Sequence, residues 1–179
     1  LNFARFAGMD LGQGLTPAVI SYEGIQYQYM APSVMEERHH DYIQENLRIL
    51  SGFYGVLKPF DGVAPYRLEM QAKAQVNDCK DLYEFCGEEI YRELTTEDSV
   101  ILNLASKEYS KSVEPYLTKE DMFVTCVFGE WKEGKVIQKG TMAKMARGEM
   151  VRFLAERDAG CPEDAKAFDR LADGFSEEL

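Results

Sequence analysis

Three stretches of the chain carry side chains whose types and spacing suit anion binding or proton transfer. In the first, Lys144, Arg147 and Arg152 interrupt an apolar helical pattern, and Lys144 and Arg147, three apart, share a face. Cations in the N-terminal half of a helix add to its dipole and favour a phosphate or carboxylate, although a solvated helical face has the same composition. The second is a glycine-rich run from Leu50 to Pro59 that holds Ser51, Gly52, Tyr54, Gly55 and Lys58, followed by Asp61, Tyr66, Arg67 and Glu69. Its glycines would let backbone N–H groups approach a phosphate beside Lys58 and Arg67; a plain turn between helix and strand accounts for them equally well. In the third, Asn103, Ser106, Glu108 and Tyr109 follow an apolar run, at the end of a strand where open sheets place ligand groups. Helix capping by Asn103 or Ser106 is the simpler role.

Familiar signatures are missing. No G-x-G-x-x-G, P-loop, G-x-S-x-G or H-E-x-x-H motif occurs, so the common dinucleotide, nucleotide, hydrolase and zinc chemistries have no support. His39 and His40, the only histidines, are adjacent and would point about 100° apart on a helix. They are expected on a solvated face, and no metal site is expected. The cysteines at 79, 86, 126 and 161 form no C-x-x-C pair; Cys79 and Cys86 would be about 10 Å apart along a helix. They read as reduced, small hydrophobes of a cytosolic protein.

Composition sets further bounds. The 179 residues include 31 acidic and 20 basic side chains, a net charge of −11, which excludes a uniformly basic nucleic-acid binder. The charge is unevenly distributed. Residues 78–98 hold eight acidic and two basic side chains and residues 156–179 eight and three, whereas residues 135–152 hold five basic and one acidic. A local cationic surface on an acidic body therefore survives the average. At 45% hydrophobic and 12% aromatic the chain is too apolar for disorder, and no run approaches the roughly 20 apolar residues that span a bilayer.

The elements that must position these residues read as α+β, a single compact mixed domain over residues 1–179 with helices around a small sheet. Residues 1–15 read as loop, and residues 17–21 and 24–30, with Val19, Ile20, Ile25, Tyr27 and Tyr29, as extended segments. A helix is expected from Ser33 through Leu50, stopped by Gly52, and a second over Leu82 to Leu94. Pro59, Gly62 and Pro65 forbid regular helix before Tyr66. Residues 99–105 read as a buried strand, Ser106 opens a short helix ending before Pro115, and residues 122–131 and 136–139 form a hairpin. Helices over Thr141 to Arg157, with Met145/Ala146, Met150 and Phe153/Leu154 inward, and over Pro162 to Ala172, closed by Gly174, complete the chain.

Five segments in this order, LRILSGFYGVLKPFD, PYRLEM, KDLYEF-x-G, VILNLAS-x-EY-x-K-x-V and K-x-ARG-x-M-x-RF, give the chain a resemblance to the YaaA family of bacterial peroxide-stress proteins from about Ile20 to Phe175. That family carries a further N-terminal segment with an S-P-A-K-T-like motif and a further C-terminal strand, and this chain opens on Leu1 rather than Met. It is expected to be the motif-bearing part of a longer protein. The resemblance implies a cytoplasmic protein that limits oxidative damage and free iron, and that binds DNA through a positively charged cleft with a helix-hairpin-helix-like element placed at Leu47 to Leu57. Carried over, it implicates Ser51, Gly52, Tyr54, Gly55, Lys58, Pro59 and Asp61; Tyr66, Arg67 and Glu69; Asn103, Ser106, Glu108, Tyr109 and Lys111; and Lys144, Arg147, Gly148 and Arg152. One departure is Met145, where the family often has a second lysine.

Two functions follow as expectations. One is a DNA-binding stress protein, without a cofactor, contacting duplex or branched DNA independently of sequence through Lys58, Arg67, Lys144, Arg147 and Arg152. The other is an enzyme acting on a nucleotide or nucleic acid, with Glu69 or Glu108 as general acid or base and Lys144 and Arg147 stabilising negative charge. Iron sequestration or thiol-based peroxide reduction lacks the necessary residue clusters.

Overall fold

The computed structural model describes residues 14–97 and 99–171. The fold is α+β, and among the described residues the strands are distributed over four two-stranded pairings. The described residues pack as two compact units, one within residues 14–21 and 48–123 and the other within residues 22–47 and 124–171.

In the first unit, β1 (Thr16–Pro17) pairs antiparallel with β4 (Gly62–Val63). α1 (Ala18–Ser21) follows β1 directly, with the N–H groups of Ala18 and Val19 donating to the carbonyls of Asp61 and Pro59 at 2.9 Å each. The extended segment expected over 17–21 is therefore helical after Pro17, because these long-range bonds outweigh the β-branching of Val19 and Ile20. β2 (Ile49–Ser51) and β3 (Gly55–Leu57) form a hairpin in which Ser51 opposes Gly55. α4 (Leu82–Cys86) is capped by Asp81, whose carboxylate accepts the Glu84 N–H. It is separated from α5 (Glu89–Leu94) by Gly87 at φ 51. The single helix expected over 82–94 is thus two, since a left-handed residue ends the first. β5 (Val100–Asn103) pairs with β6 (Met122–Thr125), and Ser106 precedes α6 (Lys107–Ser110) as expected. β5 is not fully buried: Val100 is exposed and only Asn103 is enclosed. Met70, Leu82, Ile90 and Val113 form the core between these elements.

In the second unit, α2 (Ile25–Met30) and α3 (Glu37–Asn46) both pack on the long α7 (Gly140–Arg157). The extended reading of 24–30 is corrected by that packing, which buries Met30 and overrides the aromatic content. α3 is capped at Glu36 and ends at Leu47. Leu50 therefore belongs to a strand; the apolar residues at 47 and 50 fit a helical period only by coincidence of spacing. His39, expected on a solvated face, is only 7% exposed, and His40 is bonded at 2.8 Å to the Pro32 carbonyl. The expected hairpin is confined to β7 (Glu130–Lys132) and β8 (Lys135–Ile137), joined by Glu133 and Gly134, both at positive φ as a two-residue turn demands. α7 confirms the helix expected over 141–157: Ala146, Met150, Phe153 and Leu154 are buried and Met145 is partly so. Pro162 opens a 3₁₀ helix that ends at Ala167, well short of Ala172, and Phe168 then packs edge-on against Phe153 and Phe128. Residues 1–13, Ala172 and Gly174 lie outside the described residues.

Candidate nucleic-acid interface

The glycine stretch has structural work to do. Ser51 ends β2 at 2% exposure, and its Oγ accepts the N–H groups of Phe53 at 3.1 Å and Tyr54 at 2.9 Å. The same oxygen lies 2.5 Å from the Tyr66 hydroxyl. A Cβ at Gly52 would sit 2.8 Å from the Leu68 carbonyl oxygen, and Gly55 takes φ 76 to close the turn. The Tyr54 hydroxyl receives the Ala64 N–H at 2.9 Å, while the Asp61 carboxylate receives the Lys58 N–H at 2.7 Å. The amides of Phe53, Tyr54 and Lys58 are thus bonded within the protein, and the turn reading of these glycines is the one the geometry supports.

Arg48, Lys58 and Arg67 of this unit face carboxylates. Lys58 Nζ lies 3.3 Å from Glu97, which also takes Arg48 at 2.6 Å; the Lys58 hydrogen bond is the largest cause holding the Glu97 carboxyl below its usual range. Arg67 lies 3.5 Å from Glu69, and Lys111 stands over the Tyr83 ring at 4.7 Å. Asn103 accepts the Ala105 N–H at 3.0 Å, and the Ser106 carbonyl accepts the first N–H groups of the turn at Tyr109 and Ser110. Glu108 receives the Gln71 N–H at 3.2 Å through its carboxylate and the Tyr83 hydroxyl at 2.8 Å through its carbonyl. Burial, reinforced by the charges of Glu108, Tyr66 and Glu69, pushes the Tyr109 phenol up to about 12. Ser51 and Tyr66 are thus in hydrogen-bond contact, the charges of Glu69 and Glu108 act on Tyr109, and Arg67 stands beside Glu69, so this is a polar region of mixed charge.

The second unit differs. The β7–β8 hairpin leads into α7, whose N-cap, Lys139, makes no side-chain cap. A helix N-terminus without such a cap retains donors and the positive end of the dipole. Around it Lys135, Lys139 and Lys144 are exposed, and a Cβ at Gly140 would meet open space. Residues 130–147 carry five basic and two acidic side chains. Glu130 pairs with Lys132 at 3.0 Å and with Lys139, and these lysines hold its carboxyl below the usual range, the Lys139 hydrogen bond most. Further along, Arg152 is bonded at 2.8 Å to Glu156, which also pairs with Arg170. Arg147 is half-buried, and Gly148 touches α2. Of the sequence-derived cations, then, Lys144 is presented outward and Arg152 is drawn into an ion network. Lys135 and Lys139 lay within the basic run of the sequence, but nothing there revealed that Lys139 would occupy the start of the helix.

A family model described as peroxide stress protein YaaA matches residues 1–179, the whole chain. The chain belongs to the YaaA family. Among its curated relatives, a UPF0246 protein of Lachnoclostridium phytofermentans is 60% identical over 100% of this chain and 70% of its own length. One from Desulfitobacterium hafniense is 57% identical over 100% of this chain and 71% of its own. One from Pediococcus pentosaceus is 52% identical over 100% and 71%. In this YaaA-family chain, Leu47 ends a helix and the segment from Ile49 to Leu57 is strand, turn and strand. Among the described residues no helix is long and apolar enough to cross a membrane.

Proposed function

We propose that this YaaA-family protein serves the peroxide-stress response in the cytoplasm by binding nucleic acid through its phosphate backbone, without reading sequence, and thereby protects DNA while free iron is held low. The contacts come from the β7–β8 hairpin and the first turn of α7: Lys135, Lys139 and Lys144 with the open helix N-terminus. The observation that carries the proposal is that this 18-residue helix starts without a side-chain cap inside the one strongly basic stretch of an acidic chain. Duplex and four-way-junction DNA should both bind, because a backbone track of lysines carries no base-edge code. The test is binding of labelled DNA of unrelated sequences by the wild type and a Lys135→Ala/Lys139→Ala/Lys144→Ala variant. Equal affinity of the two proteins, or binding to one sequence alone, contradicts it.

A second reading has its own observation, the convergence of Tyr66, Glu69, Glu108 and Tyr109. Such a carboxylate–phenol cluster suits proton transfer on a nucleotide. Lys144 and Arg147 belong to the other compact unit, so this reading rests on Glu69 and Glu108. Normal rescue of peroxide sensitivity by a Glu69→Gln/Glu108→Gln variant would remove it.

A further inference from the structure

Phe53 sits where a large apolar ring is not the usual choice. It belongs to the turn between β2 and β3, a place that favours Gly, Asn, Asp and Ser, and it is 40% exposed. The ring is held from behind. It stacks on Tyr66, with ring centroids 5.2 Å apart and planes at 29°, and stands nearly perpendicular to Tyr54 at 4.9 Å. Tyr54 and Tyr66 are themselves edge-on to each other at 5.3 Å. Both supporting rings are tied by their hydroxyls, Tyr66 to Ser51 Oγ and Tyr54 to the Ala64 N–H, while Ser51 also fixes the Phe53 N–H. This aromatic surface is accessible and already ordered. A ring immobilised in advance loses little entropy when a flat partner settles on it.

The surroundings narrow the partner. Gly52, the residue before Phe53, lies against the backbone of Leu68 to Met70; a Cβ there would fall 3.1 Å from the Glu69 carbonyl carbon and 3.2 Å from the Met70 nitrogen. One residue further, the Gln71 N–H donates to Glu108 Oε1, and the charges of Glu69 and Glu108 both act on Tyr109. Arg67 and Glu69 are exposed, their side chains 3.5 Å apart. Carboxylate oxygens accept N–H donors, and a guanidinium donates to carbonyl oxygens. An aliphatic partner would use the ring and leave these groups unmatched. A nucleobase has a π-face for the ring and both N–H and C=O groups along its edge.

We propose that Phe53, backed by Tyr66, is the stacking platform of a site for an unpaired nucleobase, with Arg67 and Glu69 at its rim. Both faces of a base are covered inside a duplex, so the ligand is a free nucleoside or nucleotide, or a base in a single strand. The proposal rests on the reading in which the Glu69, Glu108 and Tyr109 cluster acts on a nucleotide, and names the base as the part that is held. None of its residues belongs to the proposed lysine surface.

Calorimetric and NMR titrations of the intact protein test it, with adenosine, guanosine, uridine, ribose 5-phosphate, a single-stranded oligonucleotide and a duplex as probes. The wild type should bind nucleosides, purines more tightly than uridine because they stack more strongly, and the base protons should shift upfield under the Phe53 ring. Phe53→Leu, which keeps an apolar side chain at the turn, should bind nucleosides about 10-fold more weakly or worse and lose the upfield shift; Phe53→Trp should retain both. Duplex affinity should be the same in the wild type and Phe53→Leu. Nucleosides bound at least as tightly as the single strand identify a free ligand as the source; a tighter single strand identifies a nucleic acid. No binding of nucleoside or single strand by the wild type overturns the site. So does ribose 5-phosphate bound as tightly as adenosine, or a Phe53→Leu variant that binds as the wild type does. Nucleoside binding together with normal peroxide rescue by Glu69→Gln/Glu108→Gln would instead remove only the proton-transfer reading and leave the platform standing.

Discussion

Gly148 of α7 lies against the carbonyl of Gln26 so closely that a methyl group in place of its hydrogen would be centred 2.0 Å from that oxygen. No rotamer relieves such a clash, because both partners are backbone. Gly148→Ala is expected to force α2 away from α7 and to destabilise the protein by about 3 kcal/mol or more, against the roughly 1–3 kcal/mol usual for overpacking. Urea unfolding measures it. Gly140→Ala, at an open position of the same helix, should be neutral or slightly stabilising.

Ser51 offers a second test on the other unit. One hydroxyl serves the Phe53 and Tyr54 amides and the Tyr66 phenol. Ser51→Ala leaves those groups without their partner in a nearly enclosed place and should cost about 1–3 kcal/mol, whereas Tyr66→Phe should cost about 1 kcal/mol. Neither should change DNA affinity, since the hairpin amides are bonded internally. A large loss of DNA binding in a folded Ser51→Ala protein would return the glycine stretch to the interface.

These positions show how much could be seen in the chain itself. The long helix α7, the short helix after Ser106 and the β7–β8 hairpin follow from apolar period, from Ser106 at the N-cap position, where its side chain makes no cap bond, and from the Glu133-Gly134 turn, all local properties. α2 did not, because Ile25, Tyr27 and Tyr29 favour strand locally and become helical only against α7. Leu50 has helical spacing from Leu47, yet its place is set by pairing with Val56. The basic run was visible as composition. Which of its members faces outward was not: Arg147 is half-buried, and the pairing of Arg152 depends on Glu156 and Arg170. The meeting of Tyr66, Glu69, Glu108 and Tyr109 is likewise a product of tertiary packing.

Tyr42 predicts an alkaline limit. Its hydroxyl donates to the Ala159 carbonyl at 3.0 Å, and burial first, then the charges of Asp158 and Asp164, push its phenol from 10.0 up to about 12. A raised phenol means that the fold prefers the neutral form. That contribution is whole below pH 10 and is lost as pH rises toward 12. Unfolding midpoints in urea should fall across this window and fall less steeply in Tyr42→Phe, which at neutral pH should be about 1 kcal/mol less stable because it lacks the hydrogen bond. Parallel pH profiles for the two proteins would contradict the assignment.

The central claim is that an acidic protein holds nucleic acid through a local lysine surface at the start of α7. Equilibrium binding of a duplex at several salt concentrations tests it most directly. The logarithm of the association constant should fall linearly with the logarithm of salt concentration. Replacing Lys135, Lys139 and Lys144 together should lower the affinity and make the slope shallower, by roughly 0.9 for each phosphate that is no longer neutralised. No binding at low salt, or a slope unchanged when the three lysines are replaced, would contradict it.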